Sequence, residues 1–437
     1  MSHDELDNAA YYEARADEHV WRAAKELGVS RRRFIELAAV GSAGAVALLG
    51  ACTSKNKLSS EEKSGPPTTK VPIPSALVKD TPPSQFTYTT ELGFNAEMNW
   101  KQMAGLGYLV PNHLFFVRQS SPTPRLTPQN WKLTVSGPGV TKPLEFTYDQ
   151  LLALPSVKSV VRCVECAGNG RAFFKEVLGQ DTFVAGDNGA KVSLAQWRLG
   201  AVGVAEWTGV PLGEILQRAG VKPTAKDVVP GGVDQSALKR PMSIAKAMED
   251  DTLLVYAMNG DTLPADHGYP VRVLTPGWVG NQSVKWVGSI EVAEEPVFVP
   301  QNTTLYVYIG PDYKPEPPRL GPVVERQVMK SAFELAWPAQ LKPGAQKIGG
   351  RAWGPDPIKG VEYSIDDGKT WSPAKLSDPN VPEAWVRWSF DWAPTPGEYK
   401  IRARAIDDKG NKQPDAVPYN QLGMNYGAVV AHPVTVA

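Results

Sequence analysis

The sequence predicts an α+β domain followed by an immunoglobulin-like β-sandwich, and three features carry that expectation. Between about Tyr88 and Pro300, short apolar runs alternate with Gly and Pro punctuation, and helices are few. Beyond Gly310, KIGGRAW, GVEYSIDDGKTW, AWVRWSFDW and GEYKIRARAIDDKGN follow one another as alternating strands separated by Asp-Gly and Pro-Gly turns. The Pro-rich stretch GPDYKPEPPRLGP, Gly310 to Pro322, marks the change between the two patterns.

Composition bounds the class. At 437 residues the chain is long enough for two or three domains, each with its own core. Charge is balanced, 46 basic against 46 acidic residues, so nothing points to nucleic acid or another polyanion as partner. Gly and Pro at 39 each, with 13 Trp, suit a loop-rich β-containing enzyme rather than a helical bundle. Three cysteines are too few for a disulfide scaffold.

The elements follow in order. Residues 1–52 read as an export leader: SRRRFIE (Ser30 to Glu36) has the paired arginines of twin-arginine signals, and the uncharged run Leu37 to Ala51 is too short to span a bilayer. Export by that route implies folding around a cofactor before translocation. LGAC, ending at Cys52, resembles a lipobox, which predicts a lipid-anchored protein on the extracytoplasmic or periplasmic side. Met1 to Val29, polar and acidic, has no assigned role. Residues 53–87 carry Ser, Pro and Lys with no apolar periodicity and read as a flexible linker.

The α+β domain is expected over 88–309. WKLTVSG (Trp131 to Gly137) and SVVRCVEC (Ser159 to Cys166) read as strands. Between them YDQLLAL (Tyr148 to Leu154) is a short helix stopped by Pro155. LGEILQRAG (Leu212 to Gly220) is a second helix with a Gly stop. VRVLTPG (Val271 to Gly277) and SVKWVGSIEVA (Ser283 to Ala293) are strand-like again. The sandwich is expected over 310–437, without the usual Cys pair of immunoglobulin domains.

Three segments could carry chemistry. The first is VVRCVECAGNGR, with Cys163 and Cys166. No second C-x-x-C accompanies them, and neither His113 nor His267 stands at ligand spacing. The pair ends a β-branched run rather than opening a helix, which disfavours a redox dithiol. Residues three apart on a strand face opposite ways, which disfavours a disulfide. One buried and one reactive cysteine is the better reading. Cys166 is followed by a Gly-rich turn where backbone can approach a ligand, and Arg171 would favour a thiolate. The second segment, Ala265 to Ile290, gathers His267, Arg272 and Lys285 around Gly277 and Gly280, which suits an anionic cofactor. The third is FFVRQS, where Arg118 follows an apolar triplet and needs a partner for its charge.

CAGNGR, DHGYPVR with the Lys of SVKW thirteen residues later, and WRLGAVGVAEWTGVPL (Trp197 to Leu212) resemble the sulfite oxidase family of molybdopterin enzymes. GVEYSIDDGKTW resembles that family's dimerisation domain. The resemblance spans roughly Phe115 to the C-terminus. It implies a molybdenum–molybdopterin cofactor ligated by Cys166, with Asp234, His267, Arg272, Ser283, Val284 and Lys285 holding the pterin and its phosphate. It places Arg118 and Arg171 in an oxyanion pocket and Tyr306 beside the metal, with Tyr308 a near neighbour in sequence. Gln119 and Ser120 stand where the family usually has Asn-His or His-His, so one phosphate or pterin contact is changed. GPDPIK (Gly354 to Lys359) replaces a segment that often supplies a substrate-facing arginine, and Lys359 alone could restore the charge there.

The implied activity is oxygen-atom transfer, first of all oxidation of sulfite to sulfate. A sulfoxide or another oxyanion is the alternative substrate, and a non-catalytic lipoprotein is the third reading. No C-x-x-C-H haem site is present and no second cofactor domain is expected, so electrons should pass to an external carrier such as a cytochrome c. The sandwich implies a homodimer by family analogy.

Overall fold

The computed structural model describes residues 86–88, 95–185, 190–377 and 380–437. The twin-arginine segment, the lipobox at Cys52 and most of the expected linker lie outside the described residues. Pairing begins with Phe86–Tyr88, antiparallel to Asn95–Met98, so a strand overlaps the last two residues assigned to the linker.

Two larger sheets build most of the first region, beside a three-stranded and a two-stranded sheet among the described residues. One runs Met242–Ser243, Asp227–Gly232, Val287–Ala293, Lys132–Ser136, Leu144–Thr147 in spatial order. The other runs Asp261–Thr262, Leu253–Met258, Val202–Pro211, Lys158–Glu165, with Arg272–Leu274 also paired to Leu253–Met258. Strict alternation in Lys132–Ser136 puts Leu133 and Val135 inward and the polar residues outward. Val202–Pro211 is buried along almost its whole length, so no alternation is visible in its sequence and its extent is set by neighbours on both sides.

The two expected helices form. Tyr148–Leu152 starts on a capping box, Thr147 accepting from the Gln150 amide while the Gln150 side chain takes the Thr147 N–H. Leu212–Arg218 buries Leu212, Ile215 and Leu216 in the same core as Leu133 and Val135. The strand expected from Ser283 begins only at Val287. Gly280–Gln282 is a 3-10 turn instead, and Trp286 takes a left-handed φ of 51° that interrupts the extended run.

The second region is a two-sheet sandwich. One sheet runs Lys330–Phe333, Gln346–Trp353, Trp385–Trp392, Lys375–Ser377. The other runs Ala339–Leu341, His432–Val436, Gly397–Asp407, Ile358–Ser364, Ser372–Pro373. Its core joins Phe333, Ile348, Trp388, Ile401 and Val434. The two regions share buried contacts. Arg351 donates to the carbonyls of Tyr108 and Gly107 at 2.9 Å each, to Glu334 at 2.7 Å, and lies over the Trp385 ring. Trp100 stacks on Trp353 with ring centres 5.9 Å apart.

Glu97 anchors the approach to the candidate site. Its buried carboxylate accepts from the backbone N–H groups of Arg198 and Gly200, both at 3.0 Å, and Ala201 in turn holds the Cys166 backbone. Burial pushes this carboxyl up to about 7, the two backbone donors and Arg198 opposing the shift and Glu176 adding to it. Below 4.5 both folded and unfolded chains are protonated there. Between 4.5 and about 7 the unfolded chain releases the proton first, so stability falls as pH rises through that window. Removal of the charge by Glu97→Gln, which keeps an acceptor oxygen, should flatten the curve by about 3 kcal/mol in chemical unfolding followed from pH 5 to 8. A variant curve parallel to wild type would refute the assignment.

Candidate active site

The strand Lys158–Glu165 delivers Cys166 to the edge of a cleft and ends one residue before it. The cysteine is held from both sides. Its N–H donates to the Ala201 carbonyl at 2.9 Å, its carbonyl accepts from Asn169 N at 2.9 Å, and Gly168 N points at its sulfur at 3.4 Å. A Cβ at Gly168 would stand 2.5 Å from the Arg171 guanidinium, so the arginine would have to shift to admit one.

Cys163 and Cys166 are both free thiols, and the cleft separates them. Cys166 lines it, whereas Cys163 is packed in the core and burial pushes its thiol well above the ordinary range, with Glu165 adding to the shift. The asymmetric reading of the C-x-x-C pair therefore matches the geometry.

Arg118 lines the cleft and donates to Ser120 Oγ at 2.6 Å. Tyr306, then burial in opposition, then Cys166 and Asp234 act on its guanidinium, with a net upward shift. Tyr306 also lines the cleft, with Arg240 over its ring at 5.6 Å. Tyr308 does not line it: its hydroxyl accepts from Asn425 at 2.8 Å and its ring stacks on Tyr313. The two tyrosines that sequence spacing could not separate are separated by the fold.

Asp234, His267, Arg272, Ser283 and Lys285 of the expected anion-binding set line the cleft, and Val284 does not. His267 sits edge-on to Phe115 with ring centres 5.3 Å apart. Arg272 is buried over Trp207 and donates to the carbonyls of His267 and Ser283, both at 3.0 Å, stapling the two loops together. Lys285 Nζ donates to Gln119 Oε1 at 3.0 Å and to the Asp266 carbonyl at 2.8 Å. Asp234 accepts from Ser121 and Ser236 hydroxyls at 2.5 Å each. Ser283 lines the cleft while its Oγ takes the Thr275 N–H, and Val284 is buried, its carbonyl accepting from Val273 N.

Three expected groups do not line the cleft: Val284, buried in the core, Arg171 and Lys359. Arg171 does not line the cleft: its donors go to the Leu422 carbonyl at 2.9 Å, the Ala195 carbonyl at 2.9 Å and the Met424 sulfur. Burial lowers its basicity, while Cys166 and Tyr306 pull the other way, so it acts on the site as a charge behind the wall. Lys359 is exposed on the strand Ile358–Ser364 and does not reach the cleft.

Residues outside the motifs complete the site. Lys330, on the first sandwich strand, makes a 2.7 Å ion pair with Glu165 and donates to the Asn169 carbonyl at 2.7 Å. Asn169 bridges back to Glu165 at 2.9 Å and takes the Ala201 N–H at 3.0 Å. The loop that follows Cys166 is thus braced by the second region. A lone lysine in a β-rich stretch carries no signal of this, because its partner is 165 positions away.

The residues present fit an anionic metal–pterin cofactor. Arg272 is 4 % exposed and burial alone pushes its guanidinium down to about 9, with no carboxylate paired to it among the described residues. Burial likewise holds the Lys285 amine well below its ordinary range, against the pull of Asp266. Two cations desolvated at one cleft are favourable only opposite negative charge. A single soft thiol lines the same cleft, the donor suited to a metal held mainly by other sulfur ligands.

Residues 120–300 match the family model described as the oxidoreductase molybdopterin binding domain, and 336–435 the Mo-co oxidoreductase dimerisation domain. Sulfite oxidase of Gallus gallus is 32% identical over 346 residues, covering 74% of this chain and 72% of that protein. The chain belongs to the sulfite oxidase family of molybdopterin-dependent oxidoreductases. Mitochondrial sulfite oxidase of Homo sapiens is 33% identical over 344 residues, 74% of this chain and 60% of that one. The chain therefore spans about 60% of the length of the mitochondrial members. Among solved structures, the sulfane dehydrogenase SoxCD from Paracoccus pantotrophus superposes with a TM-score of 0.67 at 25% identity, covering 91% of this chain and 100% of that one. The family fold, a molybdopterin-binding domain followed by the sandwich, is the one observed.

Proposed function

We propose that this family member is an exported molybdenum-cofactor oxidoreductase that oxidises sulfite to sulfate and passes the electrons to a cytochrome c. The observation that carries the reading is the gathering of Cys166, Arg118, Tyr306, His267 and Lys285 around one cleft. When bound, the cofactor supplies two-electron oxygen-atom transfer. In the net reaction sulfur is oxidised by two electrons, water provides the oxygen, and two protons and two electrons are released.

The chain's own residues divide the remaining work. Cys166 would supply the thiolate ligand, and Lys285, Arg272 and His267 would hold the cofactor's anionic groups. Arg118 holds the incoming oxyanion, and Arg171 adds positive potential from behind the wall. Tyr306 presents a phenol that can donate to substrate oxygen and relay a proton. Phe115 and Phe116 keep that end of the cleft apolar and limit water.

Holoenzyme carrying about one molybdenum per chain should reduce cytochrome c on addition of sulfite. Arg118→Gln should raise KM for sulfite about tenfold to a hundredfold, the loss of a charged hydrogen bond. A matured protein without molybdenum would sink the enzymatic reading. Molybdenum-loaded protein inert to sulfite would move the assignment to another small oxo-compound. That second reading draws support from Arg171 and Lys359, neither of which lines the cleft.

Export and anchoring rest on the twin-arginine and lipobox sequences, and the homodimer on the dimerisation-domain match over 336–435. Membrane fractionation of a Cys52→Ser variant tests the anchor, which predicts release into the soluble periplasmic fraction. Sedimentation of the intact chain tests the dimer.

A further inference from the structure

We infer that the side-chain amide of Asn281 is a ligand of the pterin portion of the cofactor. The inference rests on the proposed cofactor and adds a contact that no motif supplies. Asn281 lines the cleft, and both Nδ2 and Oδ1 are shielded from solvent with no hydrogen-bond partner among the described residues. Leaving both ends of one amide unpaired in a folded protein is costly unless something else fills the bonds.

The backbone leaves the residue little freedom to turn away. Asn281 lies in the 3-10 turn Gly280–Gln282, closed by Gln282 N donating to the Val279 carbonyl at 2.9 Å and Ser283 N to the Gly280 carbonyl at 3.1 Å. Gly280 packs directly on the peptide that precedes Cys166: a Cβ at Gly280 would stand 2.9 Å from the Glu165 carbonyl oxygen. Gln282 is held from the other side by its own bond to the Pro241 carbonyl at 3.2 Å. The turn is thus wedged between the Cys166 loop and the Ser283–Lys285 segment, which keeps Asn281 at the cleft lining with its amide unpaired among the described residues.

The chemistry of the amide selects the partner. An oxyanion offers acceptors alone, so Oδ1 facing it would be repelled, and Arg118 already serves that end. A pterin ring presents N–H donors beside carbonyl and ring-nitrogen acceptors along one edge. An amide offering one donor group and one acceptor side by side matches such an edge and uses both of its atoms.

The test compares holoenzymes of wild type, Asn281→Leu and Asn281→Ser. Leu keeps the volume and removes both hydrogen-bonding functions, whereas Ser keeps a hydroxyl that donates and accepts. The rate of pterin release on mild heating is read from the fluorescence of its oxidised product, together with KM for sulfite and the unfolding midpoint of each chain made in a pterin-deficient host. Asn281→Leu should release pterin about tenfold faster, a loss on the scale of a 1.4 kcal/mol hydrogen-bonding contribution. Asn281→Ser should fall between, KM should stay near wild type, and the cofactor-free midpoint should not fall. Equal release rates overturn the inference. So does a raised KM with unchanged release, which assigns the amide to the oxyanion, or a midpoint that falls in step with release, which makes the role structural. If the Leu variant does not fold, Ser against wild type decides by the same rates. A wild-type chain that purifies without pterin from a host that makes it overturns the proposed function as well, and that outcome is read from wild type alone.

Discussion

Replacing Cys166 with Ser is expected to abolish oxygen-atom transfer, while Cys163→Ser leaves most of it. The two thiols are three residues apart and chemically unlike. Cys166 stands at the cleft with the Gly168 N–H aimed at its sulfur, whereas Cys163 is buried behind it with a thiol held neutral by burial. A hydroxyl at 166 is a poor substitute for a soft sulfur donor. The loss should exceed the ~100-fold that removal of an outer hydrogen-bonding partner of a metal ligand costs. The check is sulfite turnover normalised to molybdenum per chain, with the metal content of each variant reported beside it. Equal loss in both variants would restore a paired role for the cysteines.

The second large effect is on stability and comes from the other domain. Lys330→Met should lower the unfolding free energy by about 3–5 kcal/mol, because Glu165 is then left as an unpaired charge in a core position. Both partners are almost fully enclosed, at 1% and 2% side-chain exposure, so solvent screens the pair little. The double variant Glu165→Gln/Lys330→Met removes the stranded charge and should regain most of the loss. Denaturant unfolding at matched cofactor load measures both. A single-variant cost below ~1 kcal/mol, or a double variant no better than the single, would show that the pair is not coupled as drawn. Because Lys330 also holds the Asn169 carbonyl in the turn after Cys166, the sandwich supports the metal-binding loop as well as any dimer contact.

Several parts of the fold were legible locally. The Tyr148 helix announces itself through Thr147 and Gln150 at capping-box spacing, and the sandwich strands through alternation punctuated by Asp-Gly and Pro-Gly. Val202–Pro211 was not legible as a strand, since burial on both faces erases the period that marks an edge or a half-exposed sheet. Ser283–Trp286 read as strand from its composition, but Trp286 in the left-handed region delays pairing to Val287.

Short-range sequence patterns fix which chemistry the chain can house. Cys166 with its Gly-rich turn, Arg118, and the His267–Arg272–Lys285 series are short-range patterns of reactive side chains, and the fold brings Cys166, Arg118, His267, Arg272 and Lys285 around one cleft. Only the tertiary structure decided how each is used. It put Tyr306 rather than Tyr308 at the cleft, turned the Arg171 donors onto the Leu422 and Ala195 carbonyls, paired Lys330 with Glu165, and left the Asn281 amide unpaired among the described residues. Arg171 and Lys330 share one physical reason. A side chain's donors are claimed by whatever the fold packs beside them, and those neighbours lie far away in sequence: Leu422 is 251 positions from Arg171.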